Sequence, residues 1–166
     1  MFTLVIGGSA SGKSEYAEGL VLSQSGQRIY IATLYPWDQE CVARIKKHRL
    51  ARRNRGFETV ERYTDLAGLD LPTDSNVLLE GLGSLLSNEL YTPEGGGLEA
   101  VLRGIKTLEH CAHLTVVAEE VCAGGTDYAG DTLRYLEAMA SLNRALARRA
   151  DRVVEVVCGL PNILKG

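Results

Sequence analysis

Residues Gly7-Gly8-Ser9-Ala10-Ser11-Gly12-Lys13-Ser14 fill every fixed position of the pattern G-x-x-x-x-G-K-[ST]. Their chemistry is phosphate binding. A glycine-rich turn lets consecutive backbone N–H groups converge on an anion, and a helix starting there aims its positive dipole end at the same charge. Lys13 has the length and charge to reach the β- and γ-phosphates of a nucleoside triphosphate, and the Ser14 hydroxyl is an oxygen ligand suited to Mg²⁺. The flanks agree: Thr3-Leu4-Val5-Ile6 reads as a short buried strand, and the residues from Lys13 to Ser23 read as a helix.

Further candidates lie downstream. Glu80 closes the apolar run Val77-Leu78-Leu79, where an acidic residue near a phosphate loop would hold Mg²⁺ or its water shell. Glu119 and Glu120 close another apolar run, Leu114–Ala118. Adjacent strand residues point to opposite faces, so one of the two is expected in the site, and Glu120 is the residue favoured here. Between Arg44 and Arg55 stand seven Lys or Arg and one His without an acidic residue, in a chain whose net charge is −3. Such a run is ordinarily a solvated helix face. Here it follows a strand expected to end at the nucleotide site, so a second phosphate-rich ligand competes with that reading. Cys41, Ile45 and His48 share one helix side, which suits a packing histidine. A neutral imidazole among cations could instead attack an α-phosphorus while the neighbouring Arg and Lys neutralise the transferring group. His110 and His113 lack a third ligand at metal-site spacing and read as structural or surface residues.

These residues must be carried by elements that bring them together. Strand-like runs at Thr3–Ile6, Arg28–Thr33, Val77–Glu80, Leu114–Ala118 and Val153–Val157 alternate with helical stretches at Lys13–Ser23, Asp38–Leu50, Leu98–Glu109 and Asp131–Arg149. In the last, Leu133, Leu136 and Ala140 form an apolar stripe with Met139, Leu142 and Leu146 beside it, and Asp131 is placed as N-cap. The short, nearly all-apolar strands imply a three-layer α/β fold with a mostly parallel sheet. Ligands of such sheets sit beyond the carboxyl ends of the strands, where the phosphate loop, Thr33, Glu80 and Glu119/Glu120 all fall.

The bulk composition narrows the class. With 166 residues, 45% hydrophobic and 23% charged, the chain suits one domain, residues 1–166, without repeats or long linkers. The acidic balance argues against a nucleic-acid or anionic membrane partner. The apolar runs are too short to span a bilayer, and the first strand begins at once, so a cytoplasmic location is expected. Cys41, Cys111, Cys122 and Cys158 show no C-x-x-C spacing and read as small buried hydrophobes in a reducing compartment.

A family resemblance extends over nearly the whole chain. Gly-Gly-x-x-Ser-Gly-Lys-Ser is followed by Tyr30-Ile31-Ala32-Thr33, Asp38-x-Glu40, Arg44-Ile45-x-x-His48, Arg53 and Phe57-x-Thr59-x-Glu61. Leu79-Glu80-Gly81-Leu82, Asn88, Glu120-Val121, Asn143, Ala150-Asp151-x-Val153 and Gly159-Leu160-Pro161-x-x-Leu164-Lys165 continue it. The pattern resembles the bifunctional adenosylcobinamide kinase / adenosylcobinamide-phosphate guanylyltransferase family of cobalamin assembly. The resemblance implies a P-loop NTPase fold of RecA-like type, a tendency to trimers, and two reactions. A hydroxyl of adenosylcobinamide would be phosphorylated from ATP or GTP; GMP from GTP would then be attached to that phosphate through a guanylyl-histidine. His48 matches the guanylylated histidine and Glu80 the strand-end acidic residue. Lys13 completes the catalytic set, Ser14 and Glu80 the metal set, and the phosphate loop, Thr33, Arg49, Glu61 and Glu80 the nucleotide-binding set.

The chain departs from the family pattern at several places. Ala10 replaces an Arg, Asn54 a Pro and Phe57 a Trp. The stretch Glu119-Glu120-Val121-Cys122-Ala123-Gly124-Gly125 is altered, and Leu136 stands where an Arg is expected. A single-step P-loop kinase of another small alcohol, or a nucleotide-binding paralogue with one activity lost, therefore stands beside the bifunctional reading.

Overall fold

The computed structural model describes residues 1–36, 38–121 and 128–166; for Cys41, Arg44, Lys47, His48 and Ala51 the description stops at the backbone. Strand β1 (Phe2–Gly7) leads through the phosphate loop into helix α1 (Lys13–Leu22). Strand β2 (Arg28–Ala32), helix α2 (Gln39–Arg53) and strand β3 (Glu58–Glu61) follow. Strand β4 (Asn76–Glu80) precedes helices α3 (Leu82–Tyr91) and α4 (Gly97–Leu108). Strand β5 (His113–Glu119), helix α5 (Gly130–Arg149) and strands β6 (Arg152–Val157) and β7 (Leu160–Lys165) complete the order.

The seven strands form one sheet in the order β3-β2-β4-β5-β1-β6-β7. Every pair is parallel except β6–β7, which is antiparallel. The alternation of strand side chains divides the core in two. On one face Leu4, Ile29, Ile31, Leu79 and Val116 pack with Leu82, Leu85, Leu86, Ile105, Leu108, Met139, Leu142 and Leu146 of α3, α4 and α5. On the other, Val5, Tyr30, Leu78, Val117, Val154 and Val156 pack with Ala17 and Val21 of α1 and with Phe57. Both faces of the central strands are thus covered, which is why β1, β2, β4 and β5 read as continuous apolar runs.

Several expectations need correction. Helix α3 and strands β3 and β7 were not anticipated. The N-cap of α5 is Ala129, with Asp131 inside the first turn; its carboxylate still sits at the positive end of the helix. The packed stripe of α5 is Met139, Leu142 and Leu146, whereas Leu133 is exposed, because the helix lies on the sheet only from its middle onward. Cys111 is buried, as expected, but Cys158 is exposed in the β6–β7 turn at φ 51°. Cys122 lies outside the described residues, as does the Cys41 side chain.

Two joints fix the elements around the site. Glu89 of α3, almost fully buried, accepts the backbone N–H of Asp65 at 2.6 Å and of Gly96 at 2.7 Å, fastening two loops with one carboxylate. Asn88 beside it donates to the carbonyls of Thr33 at 2.9 Å and Tyr63 at 3.0 Å, tying the exits of β2 and β3 to α3. Buried polar groups satisfied in this way specify one arrangement of the backbone.

Candidate active site

The phosphate loop is built by close approach. A Cβ on Gly7 would lie 2.6 Å from the Val156 carbonyl oxygen, and Gly12 adopts φ 90° with the Cα of Gly159 only 3.1 Å from where its Cβ would be. Glycine is required at both positions, at the first by space and at the second by conformation as well. Ala10 takes the left-handed φ of 55° without being glycine. The Gly159 N–H donates to the Ser11 carbonyl at 2.8 Å, so the β6–β7 turn braces the loop from behind. Gly12 caps α1, and the Lys13 ammonium, mostly buried, donates to the Gly8 carbonyl at 3.1 Å. Its charge is held over the loop whose N–H groups would receive a phosphate.

A cleft of about 700 Å³ opens beyond the carboxyl ends of the strands. Lys13, Ser14, Thr33 and Glu80 all line it, so four of the expected site residues, from three strand ends, meet there. Strand β5 intervenes between β1 and β4, which leaves room between the phosphate loop and Glu80. Thr33 uses its hydroxyl to donate to the Gly81 carbonyl at 2.8 Å. From β5 it is Glu119 that lines the cleft, not the favoured Glu120. The parity of the strand decides this: Val117, two residues earlier, packs on the α1 face and also lines the cleft, and Glu119 shares that face.

Glu80 does not stand alone. The Tyr30 hydroxyl, on the neighbouring strand β2, donates to Glu80 Oε2 at 2.8 Å. Over the Tyr30 ring, 3.7 Å from its centroid, lies the Arg52 guanidinium, at the end of α2. Arg52 is only 7% exposed, lines the cleft, and its Nε has no hydrogen-bond partner. Burial pushes the Tyr30 phenol far above its usual range; the Glu80 carboxylate pushes the same way and the Arg52 cation opposes. Tyr30 is therefore a protonated donor at any physiological pH. Phe57 meets the Tyr30 ring edge-on at 6.3 Å.

Arg49 and Glu61 are not among the cleft-lining residues. Arg49 donates to Glu61 Oε1 at 3.3 Å, and the Tyr63 hydroxyl to Glu61 Oε2 at 3.3 Å, beside the tilted Tyr35–Tyr63 ring pair. The backbone of His48 lies in α2 one turn before Arg52; its side chain is outside the described residues. The altered stretch Cys122-Ala123-Gly124-Gly125 lies outside them too. His110 and His113 are engaged separately: His110 faces the Leu71 and Thr107 carbonyls, and His113 the Asn76 side-chain oxygen.

The far end of the cleft is lined by Ser84, Ser87, Tyr91, Asp131, Thr132 and Tyr135. Sequence reasoning did not single these out, because helix α3 itself was not foreseen. Tyr30 and Arg52 were likewise missed. The available signal was a lone polar-tipped aromatic within the aliphatic strand Ile29–Ala32.

Comparisons with known proteins place the fold and the family. A solved structure from Pyrococcus horikoshii OT3 covers 99% of this chain and 86% of its own with a TM-score of 0.55 at 11% identity, a likeness of fold. The bifunctional adenosylcobalamin biosynthesis protein CobP of Pseudomonas aeruginosa is 33% identical over 174 residues, covering 100% of this chain and 98% of the relative. The bifunctional adenosylcobalamin biosynthesis protein CobU of Escherichia coli is 32% identical over 178 residues, covering 96% and 97%. The family described as cobinamide kinase / cobinamide phosphate guanyltransferase matches residues 3–164. On that match and those relatives, the chain belongs to the cobinamide kinase / cobinamide phosphate guanyltransferase family.

Proposed function

We propose that this chain, as one domain over residues 1–166, is a bifunctional enzyme that phosphorylates adenosylcobinamide and then transfers GMP onto the product. The observation that carries the reading is the meeting of Lys13, Ser14 and Glu80 in one cleft at the strand ends, within a chain that the family matches almost end to end. In the first step an acceptor hydroxyl oxygen attacks the γ-phosphorus of ATP or GTP. The bond to the β–γ bridging oxygen breaks, the nucleoside diphosphate leaves, and the hydroxyl proton passes to solvent or a cleft carboxylate. Lys13 exchanges the Gly8 carbonyl for the β- and γ-oxygens and neutralises the charge that develops there.

In the second step a neutral His48 nitrogen attacks the α-phosphorus of GTP and pyrophosphate leaves. A phosphate oxygen of adenosylcobinamide phosphate then displaces the imidazole, giving adenosylcobinamide-GDP and free His48. The oxygen donors Ser14 and Glu80 fit Mg²⁺, a hard cation, and would hold it; bound there, it would offset phosphate charge. Thr33, Arg49 and Glu61 and the loop residues Gly7 to Gly12 complete the nucleotide site in this reading. The corrinoid arm takes the far end of the cleft, where Tyr91 and Tyr135 offer ring faces and Ser84, Ser87 and Asp131 offer polar groups.

Among the described residues no helix is long and apolar enough to cross a membrane. A cytoplasmic homo-oligomer, a trimer as the resemblance implies, acting on small molecules and not on nucleic acid, is the corresponding cellular reading. The altered 119–125 stretch and Leu136 favour one competing reading, a chain that keeps nucleotide binding but has lost transfer to the corrinoid. Incubation with Mg²⁺ and GTP labelled at the α-phosphorus decides between them. An acid-labile, base-stable GMP adduct present in the wild type and absent in His48→Ala is the expected result. No adduct in protein shown to bind GTP would overturn the two-step reading in favour of a kinase or a nucleotide-binding relic.

A further inference from the structure

Tyr30 is placed where the two halves of the cleft meet. Its hydroxyl donates to the Glu80 carboxylate at 2.8 Å, and its ring carries the Arg52 guanidinium at 3.7 Å. Among the described side chains of α2, Arg52 alone is buried, and Ile45 alone is half-buried. The other described side chains of that helix are exposed. Among the described side chains, the buried contact of α2 is thus the one between Arg52 and the face of Tyr30. The same tyrosine reaches across from β2 to β4 and holds an oxygen of the acidic residue at that strand's end.

We infer that Tyr30 is a positioning residue for both reactions: its hydroxyl orients the Glu80 carboxylate for phosphorylation, and its ring seats Arg52, and with it the helix bearing His48, for guanylyl transfer. This rests on the roles given above to Glu80 and His48. The physical case has three parts. A glutamate at a strand end has three side-chain torsions before its oxygens, and a buried donor on a rigid neighbouring strand removes that freedom. Charge-assisted hydrogen bonds of this kind are the stronger class. A guanidinium on an aromatic face is directional and survives burial without a carboxylate partner, whereas a buried cation lacking any partner would be costly. A cation over the ring also draws charge from the phenol and makes its O–H a better donor, so the two contacts support each other.

Separate variants remove the two contacts. Tyr30→Phe keeps the ring and loses the hydroxyl; Tyr30→Leu loses both. In Tyr30→Phe the kcat for phosphorylation should fall about tenfold to a hundredfold, as for loss of a hydrogen bond to a charged group, with KM for nucleotide nearly unchanged. On a Glu80→Gln background the same change should have little further effect. In protein free of nucleotide and metal, the Tyr30→Phe and Glu80→Gln shifts in Tm should be less than additive, which reads the contact without turnover. GMP labelling of the enzyme should survive in Tyr30→Phe and fall in Tyr30→Leu and, equally, in Arg52→Met, which leaves Tyr30 in place should Tyr30→Leu fail to fold.

A Tyr30→Phe defect of the same size in both Glu80 backgrounds would make the hydroxyl merely structural and overturn the first role. Labelling that is equal in Tyr30→Phe and Arg52→Met would overturn the second. The premises fail separately: undiminished phosphorylation in Glu80→Gln would remove Glu80 from the reaction and the inference with it. A slow Glu80→Gln beside a wild-type Tyr30→Phe would sink the inference alone.

Discussion

Helices α1 and α2 follow adjacent sections of the chain and both serve the cleft, yet they are held in opposite ways. Helix α1 buries Lys13, Ala17 and Val21 and is preceded by a loop in which two glycines touch the backbone of the β6–β7 region. Helix α2, five residues longer, has one buried described side chain, and that one is an arginine. The first arrangement is over-determined: neither the loop nor its helix can shift without breaking several contacts. The described side chains of the second are held at its last turn, through a cation on a ring. The contrast teaches that a rigid anion cradle and a helix end fastened by a cation on a ring can share one cleft.

The first way to break this contrast is to remove the charge from the rigid side. Lys13→Ala should lose both reactions, with phosphorylation down by about three orders of magnitude or more, since the loop amides cannot replace a point charge on the β- and γ-oxygens. Initial rates with labelled triphosphate check this, and undiminished turnover would refute the phosphate-loop assignment. His48→Ala, on the other side, should abolish the GMP adduct while leaving phosphorylation within about threefold of wild type, since an effect confined to one step marks an interaction made only in that step. Loss of both reactions would give His48 a structural role and erase the distinction.

Stability should follow the same division. Gly7→Ala drives a methyl into the Val156 carbonyl and should lower Tm by roughly 5 °C or more, as strain of about 2 kcal/mol does in a domain of this size. Arg52→Ala removes the packing of a buried stem together with a desolvated ring contact worth about 2 kcal/mol, and should lower Tm by about 4–8 °C. Calorimetry of the two variants side by side measures both effects.

The smallest effect expected is a pH dependence far from the cleft. The Leu71 carbonyl and then the Thr107 carbonyl face the two nitrogens of His110, favouring the doubly protonated ring and raising its pKa above 6.5. Because the folded value lies above the unfolded one, the contribution is complete below about pH 6.5 and is lost as pH rises through the folded value. Melting scans from about pH 5.5 to 8 should show a shallow fall in the wild type that His110→Asn lacks.

Much of this architecture is legible in the sequence where one physical requirement dominates. The central strands and the phosphate loop are such cases: burial on both faces demands apolar runs, and anion binding demands glycines at set positions. The missed elements obey mixed requirements. Strand β3, Glu-Thr-Val-Glu, is a sheet edge with polar ends, and β7 carries Pro161 and is exposed throughout. Helix α3 contains Gly83, Ser84, Ser87 and Asn88, weak formers that become helical because Leu82, Leu85 and Leu86 are buried beneath them. The site divides in the same manner. Glu80 and Lys13 announce themselves by position, whereas Tyr30 looks like one more β-forming aromatic until its hydroxyl is seen against Glu80.

The sheet order bears on how such a chain comes off the ribosome. Strand β1 is the first made, but both its partners, β5 and β6, are supplied more than a hundred residues later, and the turn that braces the phosphate loop comes at Gly159. A nascent chain therefore carries its nucleotide-binding motif long before it can bind nucleotide. Synthesis must pass Gly159 before the site closes, so ligand can rescue the chain only once those residues are made.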